Sequence, residues 1–444
     1  MAMFNDLFEQ HYNSVAEEVS RSSIRKNYND SMSESLSNMQ IGPQREYILQ
    51  KAIRPYFGKQ GVNKSPIGEP PEFIDLQSSD AVQYHCVCTL FIDIKGSTRL
   101  SLIYDLDFVY KFKNAVIQTC VEVIRSFDGN VHRLMGDAVM AFFGNNSTDK
   151  ESSIADAINC TLILRAILEQ SIRPWMKQKG LLPNDFGFRV GCDFGDDDDV
   201  LWGNFGYEGV GEISATGLSV DMASKLQGLA SKNQTMLGQG LLEFINWPEK
   251  YSKIKSKTKG NVEENIPFVV PNLTDRDDNS INYAMRLLHY EDAMSFCALP
   301  REFRQQINSH VISNRIISYE CYTVENGNLN RYISASKFIE PGIDLVFKVT
   351  ASTNERLKFP LKAIFTKTNH GKATPIKERD IEQGGIVKEM NKVTVSKYNR
   401  SILPVSEVSL NESTLYRGLH TMKCEVKDSN DSVIFRDWIA ILIK

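Results

Sequence analysis

The stretch LFIDIKGSTRL, residues 90–100, places one charged residue, Asp93, inside a run that otherwise has the pattern of a buried strand. The run ends at Lys95-Gly96-Ser97, where the glycine permits a sharp change of backbone direction. A lone ionised carboxylate in an apolar strand is costly unless a cation or hydrogen bonds replace its hydration. The stretch therefore raises the question of what Asp93 contacts.

Periodic patterns on either side of this stretch predict alternating strands and helices. The predicted elements are a strand over 84–94, a helix over 108–127 that stops at Asp128-Gly129, a hairpin over 131–144, a helix near 151–170, strands over 186–194 and 199–206, and a helix over 217–230. This order predicts an α+β fold in which helices cover one face of a sheet.

Changes of composition along the chain predict four segments. Residues 1–80 are polar, then rich in proline and glycine, which indicates a partly helical arm and an entry segment. The α+β unit, which the motifs described below make the candidate catalytic unit, follows over 81–250. Residues 251–320 form a connecting, partly helical segment with a lysine-rich run and a predicted helix over 281–296. Residues 321–444 contain alternating apolar runs separated by turn residues, which predicts a small all-β domain.

The composition carries no strong charge bias. The 444 residues include 51 basic and 55 acidic side chains, for a formal net charge of -4. Nucleic acid is therefore not an expected partner. No secretory signal pattern and no apolar run long enough for a membrane span are present, so we expect a cytoplasmic protein. The eight cysteines form no Cys-x-x-Cys pair, which is typical of buried thiols in a reducing compartment.

Asp93 and Asp137 occur in the same kind of context, at the end of a predicted strand and at a hairpin tip. If these strands pair, the carboxylates lie close together and repel each other unless divalent cations neutralise them. Magnesium is usually held by one or two carboxylates together with substrate phosphates. Gly96 lets backbone N–H groups approach a phosphate, and Ser97 can cap a short helix. The alternative is that both aspartates are solvated; a P-loop is excluded because its glycine and lysine spacing is absent.

Four blocks, taken together and in order, resemble the class III nucleotide cyclases: LFIDIKGSTRL, VHRLMGDAVMAFFG, FRVGCDFG and ISATGLSVDMASKLQ. The resemblance covers about residues 84–245 and implies a ferredoxin-like, palm-type sheet with helices. It also implies a homodimer that forms head to tail, with sites at the interface. There Asp93, Asp137 and the Ile94 carbonyl would hold two divalent cations, Mn²⁺ or Mg²⁺. The reaction implied is attack of the ribose 3′-hydroxyl on the α-phosphorus of a nucleoside triphosphate, which releases pyrophosphate.

The resemblance also assigns residues to the triphosphate and the transition state. Gly96 and Ser97 form the bend that lets the triphosphate reach the metals. Asp221 and Lys225 align with the asparagine and arginine that the family uses at the transition state. Lys225 would place positive charge on the phosphorus, and Asp221 would accept a hydrogen bond from the ribose. Alternatively, the two form a salt bridge between successive turns of one helix.

Two positions that read the base in this family align with Arg133 and Ser214. Adenylate cyclases resemble one another in a lysine at the first and an aspartate or threonine at the second, whereas guanylate cyclases have a glutamate at the first. Arg133 can only donate, which disfavours guanine; the alternative is a surface charge. His85 lies eight residues before Asp93, so strand alternation puts both on one face. His85 could then wall a pocket for a small base, or it is a structural histidine.

The segment STLYRGLHTMKCEVKDSNDSVIFRDWIAILI, residues 413–443, resembles the adenylyl/guanylyl cyclase and SMODS C-terminal (AGS-C) sensor domain. A class III cyclase joined to this module resembles the pyrimidine cyclases of bacterial Pycsar defence. That resemblance implies a second messenger for antiphage defence, cyclic UMP or cyclic CMP, which a downstream effector senses. We predict UTP as the substrate, with CTP as the alternative. An adenylate cyclase and a non-catalytic sensor or scaffold are further alternatives.

Overall fold

The computed structural model describes residues 4, 6–14, 16, 47–77, 79–145, 148–207, 210–259, 262–269, 274–353, 356–393 and 404–444. Near the N-terminus, residues 7–14 form helix α1, and α2 spans Ile48–Ile53. Phe4 and Phe8 are buried in the main hydrophobic core. Parts of the predicted arm therefore pack on the catalytic unit, whereas its serine- and asparagine-rich stretch, 27–40, lies outside the described residues.

The catalytic unit contains the predicted strands and helices, together with strands β7 and β8, which the sequence patterns did not predict. The strands are β1 (Gln83–Tyr84), β2 (Val87–Lys95), β3 (Asn130–Met135), β4 (Ala138–Phe143), β5 (Gly187–Gly195), β6 (Leu201–Tyr207), β7 (Val210–Thr216) and β8 (Gln234–Gly238). The helices are α3 (Ser97–Ile103), α4 (Leu106–Ser126), α5 (Lys150–Ile167), α6 (Arg173–Gln178), α7 (Leu218–Leu229) and α8 (Gln239–Phe244).

The connecting segment differs from its prediction. It contains β9 (Ser252–Lys253), β10 (Lys255–Lys259), β11 (Val262–Ile266), β12 (Met285–Leu288), α9 (Tyr290–Met294) and α10 (Arg301–Ile307). The helix predicted over 281–296 is wrong, because β12 pairs antiparallel with β8 and the helix begins only at Tyr290. Met285 and Leu287 enter an apolar cluster beside α7, so tertiary packing overrides an apolar spacing that also fits a helix.

A seven-stranded sheet in the order β3-β4-β2-β5-β8-β12-β9 organises the catalytic unit. Even-numbered residues of β2, such as Leu90 and Ile92, enter the core formed with α4 and α5. Odd-numbered residues, such as Val87 and Phe91, pack against α7 and a small sheet in the order β1-β6-β7. Elements therefore cover both faces, and the prediction of helices on one face is wrong. The near-continuous apolar run of β2 is typical of a strand buried on both sides.

The C-terminal region is all-β, as predicted. Its strands are β13 (Ile317–Glu325), β14 (Asn328–Tyr332), β15 (Phe338–Ile339), β16 (Asp344–Ser352), β17 (Leu361–Asn369), β18 (Glu382–Met390), β19 (Val405–Ser413), β20 (Gly418–Lys427) and β21 (Val433–Ile443). They form a four-stranded sheet, β14-β13-β16-β19, and a five-stranded sheet, β15-β21-β20-β17-β18. Phe338, Leu419 and Leu442 extend into the core of the catalytic unit, so the two regions share apolar packing.

All eight cysteines are buried as free thiols. None of the helices in the described part of the chain is both long enough and apolar enough to cross a membrane.

A buried ion cluster joins α10 to β21, and its loss should destabilise the protein. The Asp437 side chain is 2% exposed and pairs with Arg301 and, at 2.9 Å, with Arg304. Asp437→Asn should lower the free energy of unfolding by about 3 kcal/mol, because it leaves buried guanidinium charge without its partner. Urea denaturation measures this change.

The matched control for this substitution is Asp431→Asn. Asp431 pairs with Lys362, but its side chain is 70% exposed, so we expect a loss of less than about 0.5 kcal/mol. Equal losses from the two substitutions would contradict a structural role for the buried cluster.

Candidate active site

Asp93 and Asp137 lie on neighbouring strands at one end of the main sheet. Asp93 pairs in register with Ala138, the residue after Asp137, and the Ile94 N–H donates to the Asp137 carbonyl at 3.3 Å. Asp93 and Asp137 therefore lie on paired strands although they are 44 positions apart in the chain, as the hairpin prediction required. Asp93 lies on the face of β2 that carries Phe91, toward α7 and the small sheet.

Within the chain, Asp93 forms an ion pair with Arg189. Arg189 lies directly opposite Asp93 on β5, and its Nε donates to Asp93 Oδ2 at 2.8 Å. The Asp93 side chain is only 16% exposed, so this ion pair replaces part of its lost hydration. Arg189 was not among the predicted site residues, although it lies in the block FRVGCDFG. The register of β2 and β5 was the missing information.

The turn after β2 needs its glycine. Gly96 has φ +97°, in the left-handed region, and α3 begins at the next residue. The sequence predicted that Ser97 caps this helix, but its side chain does not do so. The Ser97 hydroxyl instead donates to Asp137 Oδ2. The 94% buried Ser97 therefore orients a candidate metal ligand.

A β-bulge directs Arg133 toward the site face. The register of β3 and β4 shifts between Val131 and Arg133, so Arg133 lies opposite Met140, whose side chain is on the same face as Phe91. There the Arg133 guanidinium forms an ion pair with Glu212 of β7. No local sequence pattern predicted β7, so Glu212 was not among the predicted site residues.

Ser214 lies two residues beyond Glu212 on β7, so strand alternation puts both side chains on the same face. That face is opposite to Ile213 and Ala215, which are buried under the small sheet. Ser214 therefore lies on the same face of β7 as Glu212, the ion-pair partner of Arg133, and the reading of a base by Arg133 and Ser214 stays a prediction.

Asp221 and Lys225 lie on the exposed face of α7, one turn apart. No ion pair joins them within the described residues, so the alternative of a salt bridge between helical turns is not formed. Close backbone packing fixes the helix on β5, since a Cβ at Gly191 would overlap the Ala223 carbonyl. In the part of the chain that the structure describes, no hydrogen bond or ion pair connects Asp221 or Lys225 with Asp93.

His85 lies away from the aspartates. The strand predicted over 84–94 is broken at His85 and Cys86, and β2 begins at Val87. His85 contacts Phe73 in the cluster on the Asp93 face, but eight residues of extended chain separate it from Asp93 by about 26 Å. The role of His85 as a wall of the base pocket stays a prediction.

Asp193 is a buried carboxyl on β5 outside this site. Burial raises the pKa of Asp193 to about 7. Its Oδ2 accepts from the Tyr283 hydroxyl at 2.7 Å and its Oδ1 from the Leu241 N–H at 3.1 Å. These contacts join β5 to α8 and to the segment before β12, so Asp193 has a structural role.

Comparison with known families identifies both regions of the chain. Residues 79–265 match the adenylate and guanylate cyclase catalytic domain, and residues 295–444 match the adenylyl/guanylyl and SMODS C-terminal sensor domain. A cytidylate cyclase from Escherichia coli is 38% identical over 407 residues, which cover 90% of this chain and 88% of the relative. A cytidylate cyclase from Staphylococcus aureus is 30% identical over 446 residues, which cover 99% and 95%.

A uridylate cyclase from Burkholderia cepacia is 26% identical over 179 residues, which cover 40% of this chain and 74% of the relative. The two cytidylate cyclases match across both regions and over nearly their whole length. The chain therefore belongs to the Pycsar-type class III nucleotide cyclases, enzymes that join a cyclase catalytic domain to an AGS-C domain.

Proposed function

We propose that this enzyme converts a pyrimidine nucleoside triphosphate to its 3′,5′-cyclic monophosphate and pyrophosphate, with CTP as the preferred substrate. The observation that carries the proposal is the placement of Asp93 and Asp137 on adjacent strands beside the Gly96 turn. The names of the relatives that match over most of the chain favour CTP, whereas the sequence analysis favoured UTP. UTP remains the alternative substrate.

The donor set at the two aspartates suits divalent cations such as Mn²⁺ or Mg²⁺. Carboxylate oxygens are the ligands these hard cations prefer, and both contacts of Asp93 with Arg189 use Oδ2, which leaves Oδ1 for a cation. Ser97 and Arg189 hold the two carboxylates in place, as residues behind metal ligands usually do. Two such cations, when bound, would activate the ribose hydroxyl and neutralise the leaving pyrophosphate.

The chain's own residues bind and orient the nucleotide around this centre. The backbone N–H groups of Gly96 and Ser97, at the turn into α3, can donate to phosphate oxygens. Lys225 adds a point charge at the α-phosphate, without the bidentate fork of an arginine. Asp221 accepts from the ribose, and Arg133 and Ser214 contact the base. Because no hydrogen bond or ion pair among the described residues joins Asp221 or Lys225 to Asp93, we propose that two copies complete each site.

The biological role proposed is second-messenger signalling in antiphage defence. The resemblance to Pycsar cyclases and the match of residues 295–444 to a sensor domain support this role. The cyclic nucleotide would be read by a separate effector protein.

Turnover of the four nucleoside triphosphates tests the proposed reaction. Purified full-length protein with Mn²⁺ or Mg²⁺ should convert CTP to cyclic CMP, identified by mass spectrometry. Chelation of the metal should remove this activity, since the triphosphate then lacks its neutralising cations. Cyclic AMP as the main product would contradict the substrate proposal. No cyclic product from any of the four would favour a non-catalytic sensor or scaffold.

A further inference from the structure

Arg133 and Glu212 present hydrogen-bonding groups of opposite kinds side by side. An arginine side chain only donates and an ionised glutamate only accepts. Arg133 has five N–H donors, so its contact with Glu212 leaves others for a ligand. The pair therefore offers one acceptor next to at least two donors.

We propose that Glu212 selects cytosine over uracil at the base site, an inference that rests on the proposed function. The Watson–Crick edge of cytosine carries a donor, the N4 amino group, followed by two acceptors, N3 and O2. The Glu212 carboxylate accepts from N4, and Arg133 donates to N3 and O2. Each of the three positions on the cytosine edge then meets a complementary group.

Other bases match this order less well. Uracil has an acceptor, O4, in place of the amino group and a donor at N3, so two of its three positions face a group of the same kind. Polar groups that lose water without gaining a partner oppose binding strongly. Guanine is mismatched at all three positions. Adenine matches at its N6 amino group and N1, but it has no acceptor at the third position.

Both side chains are accessible to a base. The Arg133 side chain is 40% exposed and that of Glu212 is 41% exposed. An ion pair at this exposure contributes little to folding, so a substitution at Glu212 should leave the protein folded. Ser214, on the same face of β7, can donate or accept and does not oppose either pyrimidine.

The decisive variant is Glu212→Gln. Its amide N–H group can donate to uracil O4, whereas its carbonyl oxygen is a weaker acceptor for the cytosine amino group than a carboxylate. The ratio of kcat/KM for CTP to kcat/KM for UTP should fall by about 10- to 100-fold. Titration calorimetry with CTP and UTP in the presence of Ca²⁺ should show the same change in the ratio of dissociation constants.

The matched control is Glu407→Gln on β19. Glu407 also forms a half-exposed ion pair, with Lys348 at 2.8 Å, but it lies in the C-terminal sheets. The ratio of kcat/KM for CTP to kcat/KM for UTP in this control should equal that of the wild type.

Three outcomes separate this inference from the proposed function. An unchanged CTP to UTP ratio in Glu212→Gln, or a wild type that prefers UTP, overturns the role of Glu212 while the cyclase reaction stands. Absence of any cyclic product, together with a fall in the binding ratio, supports the role of Glu212 and overturns the proposed reaction.

Discussion

Asp137→Asn is expected to lower kcat by about 1,000-fold or more, because the site loses one of two anionic ligands for the cations that neutralise the transition state. Asparagine keeps the size and one oxygen of aspartate, and it can still accept from the Ser97 hydroxyl. The fold should therefore survive. Initial rates of cyclic nucleotide formation, measured by mass spectrometry, give the change in kcat.

The control for Asp137→Asn is Asp431→Asn, which removes the same charge from an exposed turn of the C-terminal region. Its kcat should be that of the wild type. Thermal unfolding should show that both variants remain folded. Retention of activity by Asp137→Asn would remove Asp137 from the metal site and would leave Asp93 without its proposed partner.

The sequence was sufficient for the fold of the catalytic centre because local patterns specify it. The apolar run before Asp93, the glycine at residue 96 and the hairpin around Gly136 each have a distinct local signature, and the structure contains all three. The all-β C-terminal region was equally clear from its alternation. Strand β12 could not be predicted from the sequence, because its apolar residues occur at a spacing that also fits a helix.

The side chains around the site depend on contacts that no local pattern reveals. Arg189 reaches Asp93 only because of the register of β2 and β5. Arg133 faces the site because a bulge shifts its register on β4, and Glu212 meets it through a hairpin that folds back over the sheet. His85 lies in a break between β1 and β2 that the alternation of the sequence did not reveal.

Lys225→Ala is expected to lower kcat by about 100-fold or more, because the developing charge on the phosphorus loses a cation. Asp93→Asn should lower kcat by a similar factor, because this variant lacks one carboxylate ligand for the cations. If one copy supplies the aspartates and the other supplies α7, these two defects fall on different halves of each site. A heterodimer of the two variants then has one site with both defects and one site with none.

Purified heterodimers of Asp93→Asn with Lys225→Ala, isolated with two affinity tags, should therefore regain about half of the wild-type activity per dimer, as two-fold symmetry requires. The matched control pairs Asp93→Asn with Asp137→Asn. Each of its two sites lacks one metal-binding aspartate, so this heterodimer should stay inactive. If every site were built within one chain, both heterodimers would be inactive. Recovery in the first heterodimer alone would show that α7 acts across the interface, where its exposed Asp221 and Lys225 meet the aspartates of the other copy.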